Sequence, residues 1–180
     1  MRAVEVTACA LAAIAVVGSV GTAMPAHASN YGVELNGTYR VTSNGDWAQK
    51  NAVFIDEQTV VQTWTVTSSC TSPIICIGEV KSDQGWTAPL KLGGVEGPGA
   101  VGDYWVVDHI VDNWEPCPDG TAATGAQKFW FWGVEPLTNG RNMKNVDLLT
   151  GRDVTKAASG ACGINTPLVI DMPVRLDKLS

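Results

Sequence analysis

Residues 167–176 read PLVIDMPVRL, and the reading of this stretch decides the fold. Leu168, Ile170, Met172, Val174 and Leu176 stand at alternate positions, with Asp171, Arg175 and Asp177 on the other set. A two-residue apolar period places one set of side chains on one face of an extended chain, so the segment predicts a β-strand and not a helix. Pro173 falls on the outward set and has no N–H for a ladder, which predicts an edge strand or a bulge.

The same signature recurs upstream, between Gly, Pro and Asn turns. Thr38 to Ser43 alternates and stops at Asn44-Gly45-Asp46, a turn signal. Asp46 to Asn51 predicts one helical turn capped by Asp46. In Thr59 to Ser69, Val60, Trp64 and Val66 share a face opposite Thr63, Thr65 and Thr67. Cys76 to Ser82 and Trp86 to Leu92 follow, the latter pointing Trp86, Ala88, Leu90 and Leu92 one way. Asp103 to Val111 is apolar on both faces, and Asn113 to Thr121 reads as a Pro- and Gly-punctuated loop. Ala126 to Val134 separates Trp130 and Trp132 from Phe129 and Phe131. Met143 to Thr150 is a weaker strand. Gly93 to Gly102, half glycine, reads as a mobile loop.

About eight strands joined by short links make an all-β, antiparallel domain. An up-and-down barrel is the expectation, because neighbouring strands are consecutive, with a two-sheet β-sandwich as the alternative. Residues 29–180 suffice for one core and are short for two, so a single domain is expected.

Residues 1–28 read as a secretory signal peptide. Arg2 supplies positive charge, Val6 to Val20 is the apolar region, and Ala26-His27-Ala28 is a small-x-small cleavage site. No later stretch is long enough to cross a bilayer. The expected location is outside the cytoplasmic membrane, secreted or in the cell envelope. Loss of the leader reduces five cysteines to Cys70, Cys76, Cys117 and Cys162, and an even count in an exported chain favours disulfides. Four cysteines allow three connectivities, which the sequence does not separate. The sequential pairing, Cys70–Cys76 and Cys117–Cys162, is the expectation, because the first pair brackets a turn-like insert. Metal ligation would want closer cysteine pairs with histidine nearby, so no metal is expected.

Several segments resemble a group of small exported proteins from mycobacteria and related actinobacteria. They are Tyr31 to Trp47 (YGVELNGTYRVTSNGDW), Ser82 to Trp86, Asn113 to Thr121, Ser159 to Gly163 and Met172 to Lys178. The resemblance implies export and a shared fold and carries no activity. A shorter likeness is to lipocalin-type barrels, where Gly-x-Trp opens the first strand; Gly37-Thr38-Tyr39 has tyrosine there.

The net charge of −6 opposes nonspecific binding to nucleic acid or anionic lipid. His109 is the one histidine after the leader. Asp108 adjoins it, but adjacent strand residues point to opposite faces, so Asp108 does not orient it. No Gly-x-Ser-x-Gly elbow exists. Asp103, Asp108, Asp112, Glu115 and Asp119 cluster in sequence without a spacing that marks glycoside hydrolysis or calcium. Enzymatic activity therefore ranks last, and no cofactor is expected. Tryptophan is in excess, with seven in the chain. Trp130 and Trp132, with Trp105 and His109, are the candidate ligand-binding residues, since indoles lining a cavity suit a small apolar or amphipathic ligand. The leading expectation is a noncatalytic binding barrel with its ligand between the sheet and the Gly-rich loop. The alternative is an envelope interaction protein with a packed core.

Overall fold

In a computed structural model, which describes residues 30–93 and 104–180, every predicted strand forms and the sheet closes on itself. The leader, Asp103 and the Gly-rich stretch beyond Gly93 lie outside the described residues. The strands are β1 (Gly37–Ser43), β2 (Gln49–Lys50), β3 (Val53–Phe54), β4 (Val60–Ser72), β5 (Ile75–Ser82), β6 (Thr87–Gly93), β7 (Tyr104–Pro116), β8 (Ala122–Gly133), β9 (Leu148–Ala157) and β10 (Leu168–Lys178). All pairings are antiparallel, and β10 returns to β1. The result is an eight-stranded up-and-down barrel, not a sandwich. The short β2–β3 hairpin is added beside β10.

Closure follows from strand chemistry. Alternate apolar residues give every strand one inward set, and a sheet curled on itself buries that set without leaving its long strands as edges. Trp64, Trp105, Tyr39, Phe129 and Phe131 fill the interior with Val41, Val80, Val107 and Leu176 around them. The Trp64 indole meets the Phe129 ring edge-on at 4.9 Å, the arrangement preferred by aromatic quadrupoles.

Four local expectations are corrected. Pro173 does not mark an edge, because β10 pairs on both sides. It falls where its neighbour β1 ends and β2 has not begun, and Asn44 N–H donates to its carbonyl at 2.9 Å. The helical turn is a 3-10 turn over Gly45–Trp47, capped by Asn44, whose side chain accepts from Asp46 N–H. The strand expected at 143–150 begins at Leu148 and runs to Ala157. Residues ahead of it are held in turns, with Asn142 N–H on the Gly133 carbonyl at 2.7 Å. The loop expected at 113–121 is shorter, residues 117–121, because 113–116 extend β7: β7 and β8 form a long hairpin with a bulge between Val111 and Glu115, and Asn113 takes φ 53° within it.

The two ends of the barrel differ. Ahead of β1, Val33 and Leu35 pack into the core, tied down by Leu35 N–H on Ser68 Oγ at 2.8 Å. From the β8–β9 connection, Met143 and Val146 pack on the same core, and the Tyr39 hydroxyl donates to the Val146 carbonyl at 3.0 Å. This end is plugged, and the Cys70–Cys76 disulfide clamps its β4–β5 hairpin. The Cys117–Cys162 disulfide ties the β7–β8 turn to the β9–β10 connection at the opposite, open end. Chain-entropy arguments give roughly 2 kcal/mol for the first and about 4 for the second.

Candidate functional site

Toward the open end the inward positions turn polar. Ser43 on β1, Gln62 on β4, Gln127 on β8, and Asp153 and Thr155 on β9 occupy the same inward register as the apolar residues below them. All but Ser43 line a cup of about 470 Å³ that also touches Trp86, His109, Asp112, Trp114, Ile170 and Met172.

Each polar wall is held from behind. Gln62 Oε1 accepts from the Trp64 indole N–H at 3.0 Å and from the Ser82 hydroxyl at 2.9 Å. An indole N–H only donates, so the amide orientation is fixed. Asp153 accepts from the Ser43 hydroxyl at 2.7 Å and from Gln127 Nε2 at 2.8 Å. Burial pushes its carboxyl pKa up to about 6; these two hydrogen bonds pull the other way, and the nearby Asp171 charge adds to the rise.

One side of the cup is aromatic. His109 stacks on Trp86 at 4.4 Å with the planes 18° apart. Burial holds the imidazole below its ordinary pKa, partly offset by Asp112. Trp114 lies over Gly125, where an added Cβ would sit 2.8 Å from the indole.

The four candidate ligand residues do not all meet: His109 and Trp130 border one hollow of about 490 Å³, apart from Trp105 and Trp132. His109 lines the cup. Trp105 belongs to the packed core with no exposed surface. Trp130 and Trp132 lie on the outer wall, because alternation sends Phe129 and Phe131 inward. There they stack at 5.7 Å beside Tyr104, and the Arg141 guanidinium lies 4.3 Å from the Tyr104 ring centre. The flanks of the Gly-rich stretch, Gly93 and Tyr104, end β6 and start β7 at the plugged end, whereas the cup is at the other end; the stretch itself lies outside the described residues. Three of the acidic residues disperse: Asp108 pairs outside with Lys91 and Lys128, Glu115 with Lys50, and Asp119 closes a turn with Thr121, while Asp112 borders the cup with His109. His109 has no hydrogen-bonded carboxylate or hydroxyl partner among the described residues.

Sequence reasoning missed Gln62, Gln127, Asp153 and Thr155. The available signal was their register: Gln62 stands two residues before the inward Trp64, and Gln127 two before the inward Phe129. A polar residue on an otherwise apolar face is the informative exception.

The fold and site together define a disulfide-stapled, one-ended β-barrel with a polar-rimmed cup. Its architecture is similar to that of the monomer form of the M. tuberculosis PknI sensor domain. The match has a TM-score of 0.52 at 15% identity, over 82% of this chain and 88% of that one. At that identity the likeness concerns fold alone. No family model matches the chain, and no curated protein matches it.

Proposed function

We propose that the protein is a noncatalytic binding module of sensor-domain type that takes a small amphipathic ligand into the open end of its barrel. One observation carries the reading: the barrel is plugged at one end and leaves a part-aromatic, part-polar cup of about 470 Å³ at the other. Small-molecule sites combine apolar walls with a few oriented polar groups in this way. Two disulfides and the likeness to a sensor domain are compatible with an extracellular domain, in keeping with the leader-like residues 1–28.

Native mass spectrometry before and after organic extraction tests the reading. A stoichiometric mass removed by extraction is the expected result. A bare polypeptide whose intrinsic fluorescence no small amphiphile changes would overturn it.

The outer strip of Tyr104, Trp130 and Trp132 favours a second reading, an envelope interaction protein that docks through this wall. Under that reading Trp130→Ala and Trp132→Ala abolish retention on the envelope fraction, and cup variants do not.

A further inference from the structure

Hydrogen-bonding capacity left over in the cup constrains what fits it. Gln62 is 5% exposed and Thr155 3%, yet neither the Gln62 Nε2 amide nor the Thr155 hydroxyl has a partner among the described residues. Gln62 Oε1 is taken by Trp64 and Ser82, so what Gln62 offers the cup is a donor. Gln127 gives one Nε2 hydrogen to Asp153, so what it keeps for the cup is its Oε1 acceptor and the second amide hydrogen. No fully enclosed side-chain nitrogen or oxygen among the described residues lacks a partner, so both groups open onto the cup, where a ligand pairs them in place of water.

The topology sets these groups across from one another. Around the barrel β4 and β8 are four strands apart in either direction, so Gln62 and Gln127 face each other over the cup. The Trp86–His109 stack, at β6 and β7, lies across from Ile170 and Met172 on β10. Two polar walls thus alternate with one aromatic and one aliphatic wall. A flat molecule inserted edge-down meets the aromatic and aliphatic walls with its faces, and the glutamines with its edges. No lysine or arginine is among the lining residues; of the two carboxylates there, Asp153 has both oxygens engaged by Ser43 and Gln127, and Asp112 stands exposed to solvent.

Resting on the binding-module reading, we propose that the ligand is a neutral planar ring compound of the cyclic amide or imide class. A ring carbonyl accepts from Gln62 Nε2, and a ring N–H on the opposite edge donates to Gln127 Oε1, with the Thr155 hydroxyl beside it.

The test titrates the oxidised chain with four fluorescent or quenching probes. These are lumichrome (a neutral planar imide), 1-naphthylphenylamine (nearly devoid of paired polar edges), proflavine (a planar cation) and 2-naphthoate (a planar anion). Lumichrome is expected to bind tightest. Gln62→Glu keeps the oxygen that Trp64 and Ser82 need but replaces the donor; Thr155→Val keeps shape and removes the hydroxyl. Each is expected to shrink the lumichrome to naphthylphenylamine affinity ratio by roughly threefold to tenfold, the weight of one hydrogen bond. If naphthylphenylamine, proflavine or naphthoate binds as tightly as lumichrome, or both variants leave the ratio unchanged, the ligand class is wrong while the cup stands. If no probe binds, the binding-module reading fails with it.

Discussion

Gln127 on β8 donates its Nε2 amide to Asp153 Oδ1 on β9 at 2.8 Å, inside the barrel. The bond joins a half-buried amide to a carboxyl that is 1% exposed, and Ser43 supplies the second donor at 2.7 Å. A carboxyl placed so deep holds its proton far more strongly than in the unfolded chain, with a pKa near 6 against 3.8.

That difference has a definite sign. The native state binds the Asp153 proton more tightly, so its contribution to stability is fully present below about pH 4 and is lost as pH rises through about 6. Asp153→Asn removes the titration while an amide can still accept from Gln127 and donate to Ser43. Thermal melts at pH 4 and pH 7.5 are expected to show the variant gaining on the parent at the higher pH only, by on the order of 2–3 kcal/mol. A gain equal at both values would assign the effect to packing.

His109 shifts in the opposite direction. Burial depresses its folded pKa, so protonation costs stability as pH falls below the ordinary imidazole value of about 6.5. NMR titration of the ring protons is expected to give a midpoint below that of a free histidine. In Trp86→Ala the stack opens to water and the midpoint moves back up.

Interior and exterior indoles carry different weights. Trp105→Ala empties a fully buried site and is expected to cost about 3–5 kcal/mol in urea unfolding. Trp132→Ala removes outer-wall contacts to Tyr104, Trp130 and Arg141 and is expected to cost about 1 kcal/mol. Equal losses would contradict the assigned faces.

At the open end, a side chain added at Gly125 meets the Thr155 methyl at 2.5 Å and the Trp114 ring. Gly125→Ala is expected to cost about 1–3 kcal/mol and to shift tryptophan emission to the red as Trp114 is displaced. An unchanged spectrum would place Trp114 elsewhere.

The disulfides separate by loop length. Serine pairs at Cys117 and Cys162 are expected to cost about 4 kcal/mol, and those at Cys70 and Cys76 roughly 2, measured as shifts in the urea midpoint. A larger loss from the short loop would mean that native packing at the plugged end outweighs chain entropy.

The strands were legible because alternation is a local property. Leu168 to Leu176, Trp64 and Val66, and Ala88 to Leu92 fall on the inward face as their period requires. The exceptions have local causes outside the period itself. Asn44 and not Asp46 caps the 3-10 turn, because its side chain reaches Asp46 N–H at 3.0 Å. The start of β9 moves to Leu148 because Asn145 Oδ1 accepts from Asp147 and Leu148 N–H groups and holds the preceding turn.

By itself, then, the chain's two-residue period determined the all-β class, the consecutive antiparallel order and the placing of Trp130 and Trp132 opposite Phe129, since relative faces depend only on neighbours along the strand; that Phe129 turns inward and the indoles outward was decided by barrel closure. The cup was decided by tertiary structure alone. Gln62 and Gln127 lie 65 positions apart in the chain and face each other only because β10 closes on β1. Val33 and Leu35 block one end and not the other for the same reason: which inward residues meet is set by barrel closure, and no local pattern encodes it.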